Sequence, residues 1–199
     1  MHPAPTQDPV REMIEASASK PLKSTRLRVA AAIAVAVAVA FVVWLVARPG
    51  DSKPTTSSGT HPVAASVSGL TSMAGSLKHQ LYWVGQKPGF TYELTKGKSG
   101  NVWVRYLPSG TQIGDTRANF LTVGTYPETN PMRSLTNALK RKGTQRFTVP
   151  QNGTAVQDSA HPTSVYLTYP NSSLLLEVFE PSPATARSVV RSGAIIPLG

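Results

Sequence analysis

The stretch "SLLLEVF", Ser173 to Phe179, decides how this chain folds. In an extended strand Leu174, Leu176 and Val178 point one way, and Leu175, Glu177 and Phe179 point the other. A strand that faces water alternates apolar with polar residues. This one is apolar on both faces apart from Glu177, so it belongs in a central or covered place. A helix follows it: Ser182 suits the N-cap, Pro183 the first position and Gly193 the end.

A second helix lies upstream in "NPMRSLTNALKRKG". Asn130 caps it, Pro131 opens it and Gly143 stands just past its end. Met132, Leu135, Ala138 and Leu139 form its buried stripe. Lys140, Arg141 and Lys142 fill its last turn, where cations complement the helix dipole.

The remaining elements read as strands. "LYWV" (81–84) and "FTYEL" (90–94) flank "GQKPG", whose Pro88-Gly89 suits the centre of a type II turn. "NVWVRYL" (101–107), "NFLTVGTY" (119–126), "RFTV" (146–149) and "SVYLTY" (164–169) follow. Leu70, Met73 and Leu77 add one or two helical turns in front. The expected fold is α+β, a mostly antiparallel sheet with two helices packed on one face. Strand, strand, Pro, helix, Gly occurs in both halves, which suggests a duplication. A second register, Tyr82 to Glu93 against Tyr166 to Glu177, competes with it.

Outside this region the chain changes character. Val29 to Ala47 run 19 residues without a charge, Gly or Pro. As a helix they span roughly 28 Å, close to the ~30 Å hydrocarbon core of a bilayer. Lys20, Lys23, Arg26 and Arg28 precede the span against Arg48 and Lys53 after it, which keeps the N-terminus inside. The 28-residue start and the long apolar run fit an uncleaved anchor better than a cleaved signal. The expected organisation is a cytoplasmic tail at 1–28, a transmembrane helix at 29–47, a flexible Pro/Ser/Thr linker at 48–68 and an extracytoplasmic domain at 69–199. In the tail, Asp8 and Pro9 suit the start of a short helix.

Composition excludes several chemistries. There is no Cys, hence no disulfide, thiolate nucleophile, Cys-bound metal or lipidated Cys. No Gly-x-Ser-x-Gly elbow or phosphate-binding loop occurs, and no His-x-x-x-His pair suggests a metal. Asp158 and His161 sit together in "QDSAHP", which is turn chemistry. Glu93 and Glu177 are the one carboxylate pair worth weighing for glycoside hydrolysis, although both fall on the polar faces of their strands. No catalytic residue, cofactor or metal is therefore assigned. Asn152-Gly-Thr154 and Asn171-Ser-Ser173 match the glycosylation pattern and also read as turns.

The net charge is +10, and from Pro49 onward Lys and Arg are twice as many as Asp and Glu. That surplus suits an acidic partner. Lys140, Arg141, Lys142 and Arg146, in "KRKGTQR", are the densest cluster and the candidate anion-binding residues. Trp103 beside Arg105 forms a candidate exposed patch, while Tyr82, Trp83, Phe90, Tyr92 and Tyr106 suit the core.

"YWVG", "FTYEL" and "VWVRYLP", followed by "LEVFEPSP" and a terminal "SG", together with the Ala/Val-rich span and the missing Cys, resemble uncharacterised single-pass proteins of high-GC Gram-positive bacteria. The resemblance covers residues 69–199 and brings no activity with it. The expected function is a membrane-anchored, non-catalytic binding domain of the cell envelope. Its expected partners are the membrane, an anionic envelope polymer or a membrane protein, and not nucleic acid. An assembly subunit of a secretion or conjugation apparatus and an envelope-polymer hydrolase are the alternatives.

Overall fold

The structure is a computed structural model and describes residues 61–97 and 99–199. The tail, the apolar span and most of the linker lie outside the described residues. Among those described, no helix is long and apolar enough to cross a membrane.

Eight strands build one wholly antiparallel sheet. They are β1 (Val63–Ala65), β3 (Phe90–Lys96), β4 (Val102–Pro108), β5 (Thr122–Pro127), β6 (Thr144–Val149), β7 (Gly153–Asp158), β8 (Ser164–Thr168) and β9 (Leu174–Phe179), in the order β1-β3-β4-β5-β9-β8-β7-β6. The helices are α1 (Val67–Ser76), α2 (Pro131–Ala138) and α3 (Pro183–Arg191). The strand read from "SLLLEVF" is β9, and it lies fourth from the β6 edge, between β5 and β8. A protein with this layout is α+β.

Alternation along β9 divides the core into two layers. Leu174, Leu176 and Val178 join Val165, Leu167, Val104, Tyr106 and the α3 residues Ala186 and Val190 in the larger cluster. Leu175 joins Val156, Tyr166, Tyr126 and the α2 residues Leu135 and Ala138 in the smaller one. The two helices thus cover opposite faces of the sheet, not the single face expected. A strand apolar on both sides needs cover on both sides, and one helix per face supplies it.

Local signals explain the element ends. Asn130 Oδ1 accepts from the Arg133 N–H (3.1 Å) and Ser182 Oγ from the Thr185 N–H (3.3 Å), as N-caps do. Gly193 has φ +75° just past α3. α2, however, ends at Ala138, so Lys140 to Lys142 occupy the turn after the helix and not its last turn. Gly143 does not follow the helix directly; its φ of +89° turns the chain into β6. Asn152 (φ +58°) and Asn171 (φ +59°) are turn residues.

Three strands, β1, β7 and β10 (Ile196–Leu198), were not expected. β1 falls inside the stretch read as linker and pairs with β3. β7, "GTAVQD", carries Thr, Gln and Asp where apolar residues would mark a buried strand. β2 (Leu81–Trp83) does not pair with β3 across the Pro88-Gly89 turn; it pairs with β10 (Ile196–Leu198) near the end of the chain. Gln80 Nε2 donates to Leu198 O (2.9 Å), and Leu81, Trp83 and Leu198 seal the α3 side of the core.

Candidate functional site

Catalysis by the Glu93–Glu177 pair would need both acids at one bond. β3 and β9 are separated by β4 and β5, so the carboxylates stand roughly 14 Å apart at about 4.8 Å per strand. Glycosidase carboxylates stand about 5–9.5 Å apart. Both acids are also buried, with 1% and 5% exposure, and not the solvated strand residues their alternation suggests.

Each is committed locally. Glu93 Oε1 lies 2.5 Å from an Arg105 guanidinium nitrogen, and its Oε2 accepts the Gly114 N–H (2.6 Å). Arg105 continues to the carbonyls of Asp115 (2.8 Å) and Arg117 (3.1 Å), with Phe120 stacked 5.1 Å away. This pair ties the 109–121 loop down over β3 and β4. The Trp103–Arg105 surface patch therefore does not form: Arg105 is spent on the loop, and Trp103 Nε1 donates to Tyr126 Oη (2.8 Å).

Among the described residues no cation pairs with Glu177. Its carboxylate accepts from Tyr126 Oη (2.6 Å), Ser164 Oγ (2.8 Å) and Tyr166 Oη (2.9 Å). Burial raises the Glu177 pKa, and these hydroxyl donors oppose the rise. Burial, and then the Glu177 charge, pushes both tyrosines up. Gly124 faces Glu177 across β5 and β9, and a Cβ there would stand 2.6 Å from Tyr126 Oη. The Tyr126 ring occupies the space that the glycine leaves. The arrangement satisfies a buried acid, and it has no open wall toward solvent among the described residues.

The histidines serve loops. The His79 ring nitrogens lie 3.0 Å from Gln80 O and 2.8 Å from Gly100 O. The His161 N–H donates to Asp158 O (3.1 Å) in the turn between β7 and β8. Asp158 accepts from the Ala160 N–H (2.9 Å) and lies 3.4 Å from Arg141. No group of three or more His, Asp or Glu is placed to hold a metal among the described residues.

The cationic cluster takes a different form from a helix end. Lys140 and Lys142 are exposed in the turn after α2, and Arg146 is exposed on β6 with its guanidinium 3.3 Å from Thr154 Oγ1. Arg141 is half-buried and paired with Asp158, and burial lowers its pKa. It anchors the turn to β7.

Sequence reasoning missed two members. Arg187 and Arg191 of α3 place their guanidiniums 5.5 and 4.9 Å from the Phe147 ring centre. Phe147 projects to the α3 side of β6, and Arg146, its neighbour, to the α2 side. Cations therefore flank β6 on both faces of the sheet. The spacing of Arg187 and Arg191 by one helical turn is visible in the sequence; their meeting with Phe147 is not.

Among the described residues no acidic side chain pairs with Lys140, Lys142, Arg146, Arg187 or Arg191. An open recess of about 400 Å³ borders this margin, lined by Gln145, Gln157 and Arg187. Arg187 Nε donates to Gln157 Oε1 (2.6 Å) and Nη2 to Gln145 Oε1 (3.1 Å), so neutral amides hold the guanidinium without neutralising it.

No protein family model, curated protein or solved structure matches the chain.

Proposed function

We propose that the folded region is a binding domain of the cell envelope, anchored by the Val29–Ala47 span with its C-terminal domain outside the cytoplasm, and that it takes an anionic envelope polymer on the margin around β6. The observation that carries this reading is the set of five exposed or half-exposed cations, Lys140, Lys142, Arg146, Arg187 and Arg191, gathered at one sheet edge without an acidic partner among the described residues. Like charges held together repel one another, and at ordinary ionic strength the repulsion acts over about 8 Å. A polyanion relieves that repulsion and releases counterions. Arg141, already paired, contributes position and not attraction. Binding is favoured over turnover because Glu93 and Glu177 are separated and locally committed.

Retention of the full chain in detergent on purified cell wall, at low and high salt, tests the reading. Wild type should be retained at low salt and released at high salt. The variant Lys140→Gln, Lys142→Gln, Arg146→Gln should be retained less at low salt. Equal retention of the two proteins would remove the margin from the mechanism.

A further inference from the structure

We infer that β6 is a strand-addition site for an extended acidic segment of a partner protein. Among the described residues β6 ends the sheet at one side and pairs only with β7. Six consecutive residues, Thr144 to Val149, pair one to one with Asp158 to Gly153, so the strand is regular and carries no bulge. The opposite edge, β1, has three residues, too short to template a partner.

The phase of the β6–β7 ladder fixes which backbone groups face outward. The Ser159 N–H donates to Gly143 O (3.1 Å), one step before the Thr144–Asp158 pair. Bonded and non-bonded pairs alternate in an antiparallel ladder, so Gln145, Phe147 and Val149 bond to β7. Thr144, Arg146 and Thr148 turn N–H and C=O away from it. The Thr144 N–H is used locally, by Arg141 O (3.3 Å). Among the described residues Arg146 and Thr148 are left as an outward template of two donors and two acceptors. Main-chain bonds of this kind supply affinity in strand addition, and the flanking side chains supply selectivity.

Charge selects the occupant. Arg146 lies on the α2 side of β6, Arg187 and Arg191 on the α3 side, and Lys142 is exposed in the turn that enters the strand. A second copy pairing β6 with β6 would bring two such sets together, so self-association is disfavoured. The chain's own residues 1–60 are also net basic. An added strand alternating acidic residues would place carboxylates on one face, near Arg146. This inference uses the cationic margin proposed above and adds a demand for main-chain pairing, so the two fail separately.

The test uses the full chain in detergent and a fluorescein-labelled octapeptide alternating Glu with Val, read by anisotropy at low and high salt. A second peptide of the same sequence carries N-methyl groups on alternate residues, which keeps its charge and blocks one hydrogen-bonding edge. The proposal expects the first peptide to bind and the methylated one to bind about tenfold or more weakly, the worth of one or two lost hydrogen bonds. Thr148→Pro removes an outward N–H at an edge position where proline is tolerated, and should weaken the first peptide similarly without changing the melting curve. Its retention on cell wall should stay at the wild-type level. No binding of the first peptide overturns the inference. Equal binding of the two peptides also overturns it and leaves an attraction by charge alone. If Thr148→Pro fails to fold, the peptide pair decides.

Discussion

Glu177 shows what a single buried acid does to a sheet. Its folded-state pKa is raised above the ordinary value near 4.5, with burial as the main cause. The folded state therefore binds the proton more tightly than the unfolded state. The stabilisation is greatest at low pH and is lost as pH rises from that value through the raised pKa. Glu177→Gln should flatten this dependence, so that wild type loses stability relative to the variant between mildly acidic and neutral pH in parallel melts. A constant difference across that range would mean the carboxyl does not titrate there. Gly124→Ala should cost about 1–3 kcal/mol by overpacking, because its Cβ meets Tyr126 Oη and the ring carbons behind it. An ordinary strand glycine would gain from the same change. Period-two alternation placed Glu177 on the face of Leu175 and Phe179, but no local signal announced that α2 and three hydroxyls would enclose it. The clue available was that its two neighbours on that face are apolar, which is a poor setting for a solvated acid.

At the scale of elements, α2 and the turn after it carry the clearest expectations. Leu135 is fully buried against the smaller cluster, and Leu135→Ala should cost about 2–5 kcal/mol in chemical denaturation. Leu139 is half-buried at the C-cap, and its truncation should cost less. A cost below about half a kcal/mol at Leu135 would mean α2 does not pack on the sheet. Gly143→Val should also destabilise, since a left-handed φ disfavours a β-carbon and this one would fall on Ser159 Oγ. Caps and prolines made the starts of α2 and α3 legible in the sequence, because those signals are local. The end of α2 was not, because the chain leaves the helix to seat Arg141 against Asp158, a partner well downstream. β7 stayed hidden for a related reason. Its Gln157 and Asp158 are buried by satisfying Pro162 O, Pro183 O, Arg187 and Arg141, which no alternation reports.

For the whole molecule, the sheet order is symmetric about the β5–β9 pair, with β4 and β8 flanking it. A two-fold axis relating antiparallel neighbours runs perpendicular to the sheet and would leave equivalent helices on one face. α2 and α3 lie on opposite faces, so the repeat read from the sequence is not carried through to the helices. Residues 61–199 contain both clusters and none of the apolar span, and should fold alone as a monomer in sedimentation and circular dichroism. Starting at Gly69 would delete β1 and the Ser66 cap of α1, and should lower the melting temperature. Binding at the β6 margin would shield its backbone from solvent. Hydrogen–deuterium exchange of the full chain, with and without a purified anionic wall polymer at low salt, tests it most directly. New protection should be concentrated in peptides spanning Lys140 to Val149 and Arg187 to Arg191, and should be lost at high salt. Protection centred on the 109–121 loop, or spread evenly over the domain, would contradict it.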